Sequence, residues 1–515
     1  MDPFTFFVSL ALPFFVLYLY FRINDAKLMN LPADVAKGFS PRRITPKSAR
    51  EAETAFLNNP ISIEGRLPPK TGRRYIVIGG AGFLGGWIIR HLLERGEDPR
   101  RIRVLDIRPP TRPDLTTGIA RDINFLNVDI SDKAAVDAAF HSPWPPSNGP
   151  PDTTVFHTAA TIRFYERHPD LVHLSSKVNV QGTQNVVDAA RSIGASALVY
   201  TSSGSVLVRR TRFWLWPWEK QPARFTQTFT DDDSIIPARG DDMFSNYAVT
   251  KIQAERLIRA ADASPSGSTV LRTGCIRPGN GIFGPGGDIL CGAYLVRQVN
   301  PTWISNILQN FVYVENASLA HLCYERCLLD TLSGSSNPDL GGQAFCVTDA
   351  GPPITYGDVY LTLNTLTDGL TTFPEMSATS MLFLATVFEK VYLARTFMRA
   401  STSAIVRRLG ALVPALNGDL VNLQPSLFAL TQVHLIFDDS RARLPLEKGG
   451  LGYSPPWTTL DGLCKLVDEH KKAGGKGEER SMAGGVSFGF ISSKAGRGVG
   501  RVIENMGVDP SMARN

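Results

Sequence analysis

Residues 75–85 read Tyr-Ile-Val-Ile-Gly-Gly-Ala-Gly-Phe-Leu-Gly, and this stretch decides the fold. The first four residues form a short apolar run, which is typical of a strand buried on both faces of a sheet. The glycines then fit the pattern G-x-x-G-x-x-G, in which a turn without side chains lets a pyrophosphate approach the start of a helix. This order of strand, turn and helix predicts a dinucleotide-binding site. The residues predicted to contact the dinucleotide here are Gly79, Gly82, Phe83, Leu84 and Gly85.

Strand and helix patterns alternate in the chain that follows the turn. An amphipathic helix is predicted over residues 84–95, and Gly96 ends it. Short apolar strands recur after helical stretches, and we predict them at residues 103–106, 124–128, 154–157, 197–201 and 269–272. This alternation predicts an α/β fold with a Rossmann-type, doubly wound parallel sheet.

Acidic residues follow the second and third predicted strands. Asp106 lies close to the interval of about 20 residues at which a carboxylate holds the ribose hydroxyls of NAD. A carboxylate there repels the additional phosphate of NADP, whereas Arg108 is placed to bind that phosphate. NAD is therefore the expected cofactor, and NADP stays open. Asp129 and Ile130 are predicted to contact the adenine, with an ordinary loop aspartate as the alternative.

A Tyr-x-x-x-Lys pattern is formed by Tyr247 and Lys251. On a helix this spacing places both side chains on one face, about one turn apart. An ammonium and a positive nicotinamide nearby are expected to lower the pKa of the Tyr247 phenol, which is ordinarily about 10. Upstream, a predicted strand ends in hydroxyl residues, and Ser203 is expected to bind the reacting oxygen. Ser203, Tyr247 and Lys251 are therefore the predicted catalytic residues, with Tyr247 exchanging a proton with an alcohol while hydride is transferred.

The first 24 residues carry the clearest targeting feature. Residues 4–21 are uncharged and almost entirely apolar or aromatic. A helix of this length, at about 1.5 Å per residue, nearly spans a hydrocarbon core of about 30 Å. Asp2 precedes the segment and basic residues follow it from Arg22 onward. We therefore predict an uncleaved transmembrane anchor over residues 1–24 with a cytosolic body, and a cleaved signal peptide is the alternative.

Four further stretches stand outside the predicted sheet. Residues 25–71 are predicted to be a linker that carries some helix. Residues 209–218 interleave basic and aromatic residues, which suits a membrane contact, a lid over an apolar substrate or a surface hairpin. Residues 380–398 are apolar at first and then charged, so a helix on a membrane and a helix capping the core are both open. From residue 473 apolar periodicity is lost, and a disordered tail is predicted over residues 473–515.

Composition argues against two classes of function. The net charge is +6, but the basic residues do not gather in one long arm, so no nucleic acid is expected as a partner. Cys323 and Cys327 have no second Cys or His pair to complete a tetrahedral site. No metal is therefore expected, and the six cysteines are predicted to be buried free thiols.

Taken in order, these motifs resemble those of the extended short-chain dehydrogenases, and most of all the 3β-hydroxysteroid dehydrogenase/isomerase group, which includes sterol-4α-carboxylate 3-dehydrogenases. The resemblance covers about residues 72–470. Besides the motifs above, it rests on residues 155–160, 178–183, 201–203, 277–278, 282–286, 311–316, 437–442 and 451–453. It implies a Rossmann domain over residues 72–375 and a smaller C-terminal substrate lobe over residues 376–472. It also places Thr158, Ala159, Asn179, Pro278 and Tyr247 beside the cofactor, and it implies that Lys251 holds the nicotinamide ribose.

The resemblance further implies a reaction. NAD(P)-dependent oxidation of a 3β-hydroxyl on a sterol-like lipid is expected, followed by loss of a 4α-carboxylate as CO2. The alternatives are a 3β-hydroxysteroid dehydrogenase/isomerase, a dehydrogenase that tailors triterpenoids and, from another class, a non-catalytic nucleotide-sensing scaffold. The expected location is the endoplasmic reticulum membrane. Other enzymes of sterol biosynthesis and a second copy of the chain are the protein partners that the resemblance allows.

Overall fold

A parallel β-sheet forms the centre of the protein. The computed structural model describes residues 3–146, 148–149 and 151–475. The strands, in chain order, are β1 (Arg74–Ile78), β2 (Ile102–Asp106), β3 (Asn124–Asn127), β4 (Thr153–His157), β5 (Ala197–Thr201), β6 (Thr226–Phe229), β7 (Ser264–Ser266), β8 (Thr269–Pro278), β9 (Ile282–Phe283), β10 (Leu308–Gln309), β11 (Val312–Tyr313), β12 (Gln343–Val347), β13 (Ile354–Thr355) and β14 (His434–Phe437). The helices are α1 (Pro3–Leu28), α2 (Ala33–Phe39), α3 (Pro46–Asn58), α4 (Phe83–Glu94), α5 (Pro113–Thr116), α6 (Lys133–His141), α7 (Val172–Ser176), α8 (Thr183–Ser192), α9 (Asn246–Ala260), α10 (Cys291–Arg297), α11 (Val314–Leu332), α12 (Tyr356–Leu366), α13 (Ala378–Ala400), α14 (Ala404–Leu412), α15 (Asp419–Asn422), α16 (Pro425–Thr431), α17 (Ser440–Arg443) and α18 (Thr459–Lys472).

Seven strands of the central sheet are parallel and lie in the order β12–β8–β5–β4–β1–β2–β3, while β7 pairs antiparallel to β8. The predicted strands are confirmed to within one residue at each end, except that β8 continues to Pro278. The strand order reverses between β1 and β4, and nucleotides bind outside the carboxyl ends of strands at such a point. The expected α/β fold with a Rossmann-type sheet is therefore confirmed.

The first strand shows how the sheet is covered on both faces. Tyr75 and Val77 pack with α4 and α11 on one face, whereas Ile76 and Ile78 pack with α6, α8 and α9 on the other. This division follows from the alternation of side chains along a strand. All four side chains are fully buried. Because burial of each such apolar side chain contributes roughly 1.5–3 kcal/mol, β1 helps to hold both helical layers.

A second, smaller lobe contains a four-stranded sheet in the order β13–β10–β14–β6. Its strands come from both sides of residue 375, at which the sequence predicts the lobe to begin. The largest apolar cluster joins β6 and β14 to α12, α13 and α16. The same cluster includes Phe244 and Ala248 at the start of α9. The lobe is thus packed against the end of α9 that carries Tyr247.

The N-terminal helix α1 packs against this lobe. Its side chains are described at residues 6 and 9 and from residue 11 onward. The Asn24 amide donates hydrogen bonds to the Phe213 carbonyl at 3.1 Å and to the Thr379 hydroxyl at 3.0 Å. Among the described residues, no helix combines the length and the apolar character that a membrane crossing requires. The transmembrane helix predicted over residues 1–24 is therefore not supported, because the described part of α1 runs on into charged residues.

The remaining predicted segments differ in how they pack. The linker over residues 25–71 carries α2 and α3, of which α3 begins with a capping box formed by Thr45. In the stretch over residues 209–218, Phe213 is buried, whereas the Trp216 and Trp218 rings are exposed and stack with centres 5.2 Å apart. All six cysteines are buried free thiols. Of the predicted tail, residues 476–515 lie outside the described residues.

Candidate active site

The glycine turn joins β1 to α4 and leaves little room for side chains. A Cβ on Gly85 would come 2.3 Å from the Gly79 carbonyl oxygen, and one on Gly79 would come 2.8 Å from the Ala159 amide nitrogen. Gly79 also has a φ of +78°, which L side chains rarely adopt. α4 begins after Gly82, and no described side chain caps its first amides. The turn thus offers close backbone approach and free amides, which are what a pyrophosphate needs.

Phe83 and Leu84 are the first two residues of α4, and their backbone amides lie in its first turn. Phe83 and Leu84 both pack into the apolar cluster between α4 and α11. Their side chains therefore serve the core, while their amides belong to the first turn, where anions are bound.

Asp106 lies at the end of β2, beside the glycine turn. Its Oδ2 accepts a hydrogen bond from the Ala81 amide at 3.1 Å, and its Oδ1 accepts one from the Arg108 amide at 3.3 Å. The carboxylate is thereby held beside the glycine turn, and its contact with the ribose stays a prediction. The Arg108 side chain is exposed. The preference for NAD over NADP stays a prediction.

Asp129 and Ile130 follow β3 but differ in their surroundings. Asp129 is exposed, and its carboxylate accepts a hydrogen bond from the Ser131 amide at 2.9 Å. Ile130 is buried against Gly182, on which a Cβ would come 2.7 Å from the Ile130 side chain. Asp129 thus has the bonding of a loop aspartate, which was the alternative open from the sequence. Contact of either residue with adenine stays a prediction.

The end of β4 closes the other side of the glycine turn. The Thr158 hydroxyl donates a hydrogen bond to the Ile78 carbonyl at 2.8 Å. Together with the close approach of Ala159 to Gly79, this bond ties β4 to β1 at the reversal of strand order. Pro278 ends β8, three strands away from β1 in the sheet order. The contacts of these residues with the cofactor stay predictions.

Asn179 lies buried between the cofactor side of the sheet and α9. Its Oδ1 accepts a hydrogen bond from the Thr161 amide at 2.8 Å, and its Nδ2 donates to the Thr161 carbonyl at 3.1 Å. Nδ2 also donates to the Thr250 hydroxyl at 3.0 Å. Both amide hydrogens are thus used within the protein, so the structure gives Asn179 a supporting position, and its contact with the cofactor stays a prediction.

Ser203 and Tyr247 occupy neighbouring elements. Ser203 follows β5, and its Oγ lies 2.7 Å from the Ser205 hydroxyl. Tyr247 is the second residue of α9 and lies at the rim of the largest apolar cluster. Burial raises the pKa of Tyr247 to about 12, against an opposing effect of the Ser203 hydroxyl. Burial thus disfavours the phenolate, and the pKa lowering expected from the ammonium together with a bound nicotinamide stays a prediction.

Lys251 lies one helical turn beyond Tyr247, as predicted, but its amine is bonded to β5. Nζ donates hydrogen bonds to the Tyr200 hydroxyl and to the Thr201 carbonyl, both at 2.6 Å. Burial lowers the pKa of Lys251 to about 7. Tyr200 and Thr201 are thus functional neighbours that the Tyr-x-x-x-Lys pattern does not reveal. The polar residues at the end of an otherwise apolar strand are the signal that could have identified them.

A buried charge network fixes α9 on the sheet. Glu255, one turn beyond Lys251, accepts a hydrogen bond from the Ser202 hydroxyl at 2.6 Å. Glu255 also binds Arg277 of β8 through Nη2 at 2.6 Å and Nε at 3.0 Å. Because these side chains are almost fully buried, the network restricts rotation of α9 and so the direction of Tyr247. A single glutamate and a distant arginine carry no sequence pattern, so the sequence does not predict this pair.

The site therefore brings a dinucleotide turn together with a serine, a tyrosine and a lysine beyond the carboxyl ends of parallel strands. These are the parts of a short-chain dehydrogenase site, in which a bound nicotinamide supplies the carbon that exchanges hydride. The residues fit such a cofactor, since the turn has no space for side chains and Asp106 is held beside it.

A sequence profile of the 3-beta hydroxysteroid dehydrogenase/isomerase family matches residues 76–371, which is more than half of the chain. The chain therefore belongs to this family. The dehydrogenase class and the nicotinamide cofactor expected from the sequence are thereby confirmed at the level of the family.

Two curated relatives illustrate the similarity. The chain is 29% identical over 425 residues to the Arabidopsis thaliana protein named 3beta-hydroxysteroid-dehydrogenase/decarboxylase isoform 2, and the alignment covers 79% of this chain and 64% of the relative. The chain thus spans a little less than two thirds of that relative's length. It is 30% identical over 285 residues to sterol-4-alpha-carboxylate 3-dehydrogenase ERG26, decarboxylating, of Candida albicans, which covers 54% of this chain and 70% of the relative.

Solved structures support the fold alone. Pal from Bacillus thuringiensis superposes with a TM-score of 0.50 at 15% identity, covering 78% of this chain and 99% of Pal. Epimerase Mth375 from Methanothermobacter thermautotrophicus gives a TM-score of 0.50 at 17% identity, covering 78% of this chain and 93% of the epimerase.

Proposed function

We propose that the chain oxidises the 3β-hydroxyl of a sterol-like lipid with NAD(P) and that a carboxylate at C4 is then lost as CO2. The observation that supports the proposal is that Ser203 interacts with Tyr247 in a site whose glycine turn leaves no room for side chains, as a dinucleotide requires. The decarboxylating form is favoured because the Arabidopsis relative aligned with 79% of this chain is named a dehydrogenase/decarboxylase. A relative named 3 beta-hydroxysteroid dehydrogenase/Delta 5-->4-isomerase, from Vaccinia virus strain Ankara, aligns with 55%.

The roles of the side chains follow from their chemistry. The Ser203 hydroxyl donates a hydrogen bond to the reacting oxygen, and the Tyr247 phenolate takes the proton of the alcohol. Lys251 stabilises the phenolate with its positive charge. Bound nicotinamide supplies the carbon that accepts the hydride. When the bond from C4 to the carboxylate breaks, its electron pair enters the new ketone as an enolate, which the Tyr247 phenol protonates on oxygen.

A lipid substrate is supported by the apolar surroundings of Tyr247. The phenol lies at the rim of the largest apolar cluster, and Ile162, Tyr165 and Trp214 are partly buried on the same cluster. An apolar rim next to a hydroxyl and a phenol suits a molecule with one polar group on a hydrocarbon frame.

We further propose that the protein works on the cytosolic surface of the endoplasmic reticulum membrane. α1 packs against α13, where the Thr379 amide donates a hydrogen bond to the Asp25 carboxylate at 2.7 Å. α13 in turn packs against α14, where Gly410 lies close to Met398. The turn at Trp216 and Trp218 is bonded to α1 through Lys27, and the exposed apolar side chains of this turn and of the three helices are here named the apolar face. Its exposed side chains include Phe14, Phe383, Leu384, Ile405, Leu412 and Trp218.

A lipid bilayer is the occupant that the charges of this face favour. Four basic side chains of these helices are exposed, namely Lys390 and Arg399 on α13 and Arg407 and Arg408 on α14. The one acidic residue of α13 and α14, Glu389, is buried. Apolar and basic side chains on one surface match the acyl and anionic headgroup regions of a membrane. Exposed tryptophans are typical of the interface between these regions.

The test of the reaction uses purified protein with NAD+ or NADP+ and a panel of 3β-hydroxysteroids, each with and without a 4α-carboxylate. We expect reduced nicotinamide with both kinds of substrate and CO2 with the carboxylated ones. Tyr247→Phe should abolish both products and retain cofactor binding. Tyr324→Phe, which alters a buried phenol away from the site, is the matched control and should retain turnover. Oxidation without CO2 release would refute the decarboxylation, and cofactor binding without any turnover would favour the nucleotide-sensing scaffold.

A further inference from the structure

We propose that Tyr200 is a positioning residue, whose hydroxyl and ring fix the Lys251 amine so that the amine assists ionisation of Tyr247. The inference deepens the proposed function, because it concerns the same site. Tyr200 lies on β5 and does not belong to the Tyr-x-x-x-Lys pattern. It therefore adds a residue on which the acid–base chemistry depends.

The contacts of the amine carry the proposal. Nζ of Lys251 donates to the Tyr200 hydroxyl and to the Thr201 carbonyl, each at 2.6 Å, and lies 4.2 Å from the centre of the Tyr200 ring. An ammonium has three N–H donors. Two of them are therefore fixed by consecutive residues of β5, which leaves one for a bound group. A charge close to an aromatic face gains further stabilisation when it is desolvated.

The Tyr200 phenol is suited to accept this hydrogen bond. Tyr200 and Lys251 are 1% and 2% exposed, so water does not replace the phenol as a partner. Burial raises the pKa of Tyr200, which keeps the hydroxyl neutral with a lone pair for the ammonium. The Thr183 hydroxyl interacts with the Tyr200 phenol, donates to the Asn179 carbonyl at 2.7 Å and lies 3.1 Å from His157 Nε2.

The other groups near the amine do not replace Tyr200. The titratable neighbours of the amine are His157 on β4, Tyr200 on β5, Cys275 on β8 and Glu255 on α9, while Tyr247 lies one turn earlier on α9. Burial lowers the pKa of His157 to about 3 and raises that of Cys275, so both are neutral near pH 7. Glu255 is bonded to Ser202 and Arg277. The Tyr200 hydroxyl is thus the side-chain acceptor that holds the amine.

Loss of this hydroxyl has a defined consequence. The amine of Lys251 loses a hydrogen-bond partner in a dry site, so its charged form becomes less favourable and its position less fixed. Less positive charge near Tyr247 makes the phenolate less favourable. The basic form of Tyr247 then appears at higher pH, and the rate of oxidation near neutral pH falls.

The experiment is Tyr200→Phe in the full chain with NAD+ bound. The variant keeps the ring and removes the hydroxyl. Ionisation of Tyr247 is followed by the ultraviolet absorbance of tyrosinate, with the titration of Tyr247→Phe subtracted. We expect the midpoint to rise by about one pH unit and kcat near neutral pH to fall about tenfold, with recovery at higher pH. If the variant does not fold, Thr183→Val removes a hydroxyl that interacts with the Tyr200 phenol and should shift the midpoint in the same direction by less.

The matched control is Tyr324→Phe. Tyr324 is a buried phenol that donates to the Leu340 carbonyl at 2.7 Å. Its loss should lower stability and leave the tyrosinate midpoint unchanged. An unchanged midpoint in Tyr200→Phe, or an equal shift in Tyr324→Phe, would overturn the proposal. Because the titration needs no turnover, it decides the role of Tyr200 even if no hydroxysteroid is oxidised, so failure of the proposed function is recognised separately.

Discussion

Arg167 and Glu389 join the active-site side of the sheet to the apolar face. The guanidinium binds the carboxylate through Nε at 2.6 Å and Nη2 at 2.8 Å. Arg167 lies in the loop between β4 and α7, and the carbonyls of its two chain neighbours accept hydrogen bonds from Asn246, the first residue of α9. This ion pair, together with the hydrogen bond from the Tyr392 hydroxyl to Glu166, links α13 to the segment that supports the start of α9.

We expect Glu389→Gln to weaken this link. The substitution leaves Arg167 without its carboxylate and close to the cationic Arg210, so the free energy of unfolding should fall by about 2 kcal/mol. The value of kcat/KM should fall as well, because the support of α9 is loosened. Denaturant unfolding and steady-state kinetics measure both effects. Glu219→Gln, which alters the surface pair with Arg212, is the control and should change the free energy of unfolding little.

The glycine turn leads to a prediction about cofactor affinity. In Gly85→Ala, the new Cβ would lie 2.3 Å from the Gly79 carbonyl oxygen, so the turn must open. We expect the affinity for the nicotinamide dinucleotide, measured by fluorescence titration, to fall at least about tenfold. Gly38→Ala, at which a Cβ would meet nothing within 4 Å, should leave the affinity unchanged. Equal affinities in the two variants would contradict the assignment of the turn to the cofactor.

The choice of cofactor depends on Asp106 and Arg108. Asp106→Ser removes the charge that repels a ribose phosphate, while the Arg108 guanidinium stays available to bind it. The ratio of kcat/KM for NADP+ to that for NAD+ should rise about tenfold or more. Asp129→Asn, which alters an exposed loop carboxylate, should not change the ratio. A ratio unaltered by Asp106→Ser would show that another residue selects the cofactor.

Stability should depend on pH through Glu315. Burial alone would raise the pKa of Glu315, but hydrogen bonds and charge interactions with His91 and Lys465 outweigh it and lower the pKa from 4.5 to about 2. The folded-state pKa is thus depressed, so this contribution is present above pH 4.5 and is lost as pH falls toward 2.

Replacing the partner of Glu315 tests this dependence. Lys465→Met should lower the free energy of unfolding at neutral pH by about 2–3 kcal/mol, and the deficit relative to the unsubstituted chain should shrink as the pH falls below about 4. Thermal and denaturant unfolding across this range provide the measurement. Lys472→Met breaks an exposed pair with Asp468 and should show little deficit at any pH. A deficit of Lys465→Met that stays constant with pH would argue against the charge interaction.

Membrane docking predicts a defect confined to the apolar face. Phe383→Glu with Leu384→Glu places two acids among exposed apolar side chains of α13, and binding to vesicles that contain an anionic lipid should fall at least about tenfold. Ile119→Glu, at an exposed apolar residue elsewhere, should bind as the unsubstituted chain does. Co-flotation with vesicles measures the binding. Equal binding by the two variants would exclude the apolar face as the contact.

Local sequence patterns predict the strands of the sheet and the candidate catalytic residues Ser203, Tyr247 and Lys251. They do not predict the side chains to which these residues are hydrogen-bonded. β1 to β5 are runs of apolar residues with turn residues at their ends, so neighbouring residues are sufficient to identify them. The bond between Lys251 and Tyr200 joins residues 51 positions apart, and the pair of Glu255 and Arg277 spans two elements. Such contacts depend on how elements pack. The burial that raises the pKa of Tyr247 is likewise a property of the folded chain, and residue spacing does not predict it.

The N-terminal segment shows the converse limit. Hydropathy alone predicts a membrane crossing over residues 1–24, whereas α1 continues to Leu28 and bonds to the lobe through Asn24. The apolar run predicts a helix here, but it does not predict the tertiary contacts at the carboxyl end of that helix.

The amide of Asn179 ties the backbone at Thr161 to the hydroxyl of Thr250, one residue before Lys251. One small side chain thus couples the loop after β4 to the helix that carries Tyr247 and Lys251. An engineer who reshapes either part will disturb the other. Redesign for a different dinucleotide should therefore begin at Asp106, which is predicted to contact the ribose, and should leave the Asn179 amide unchanged. Affinity for the cofactor and the rate of turnover can then be altered separately.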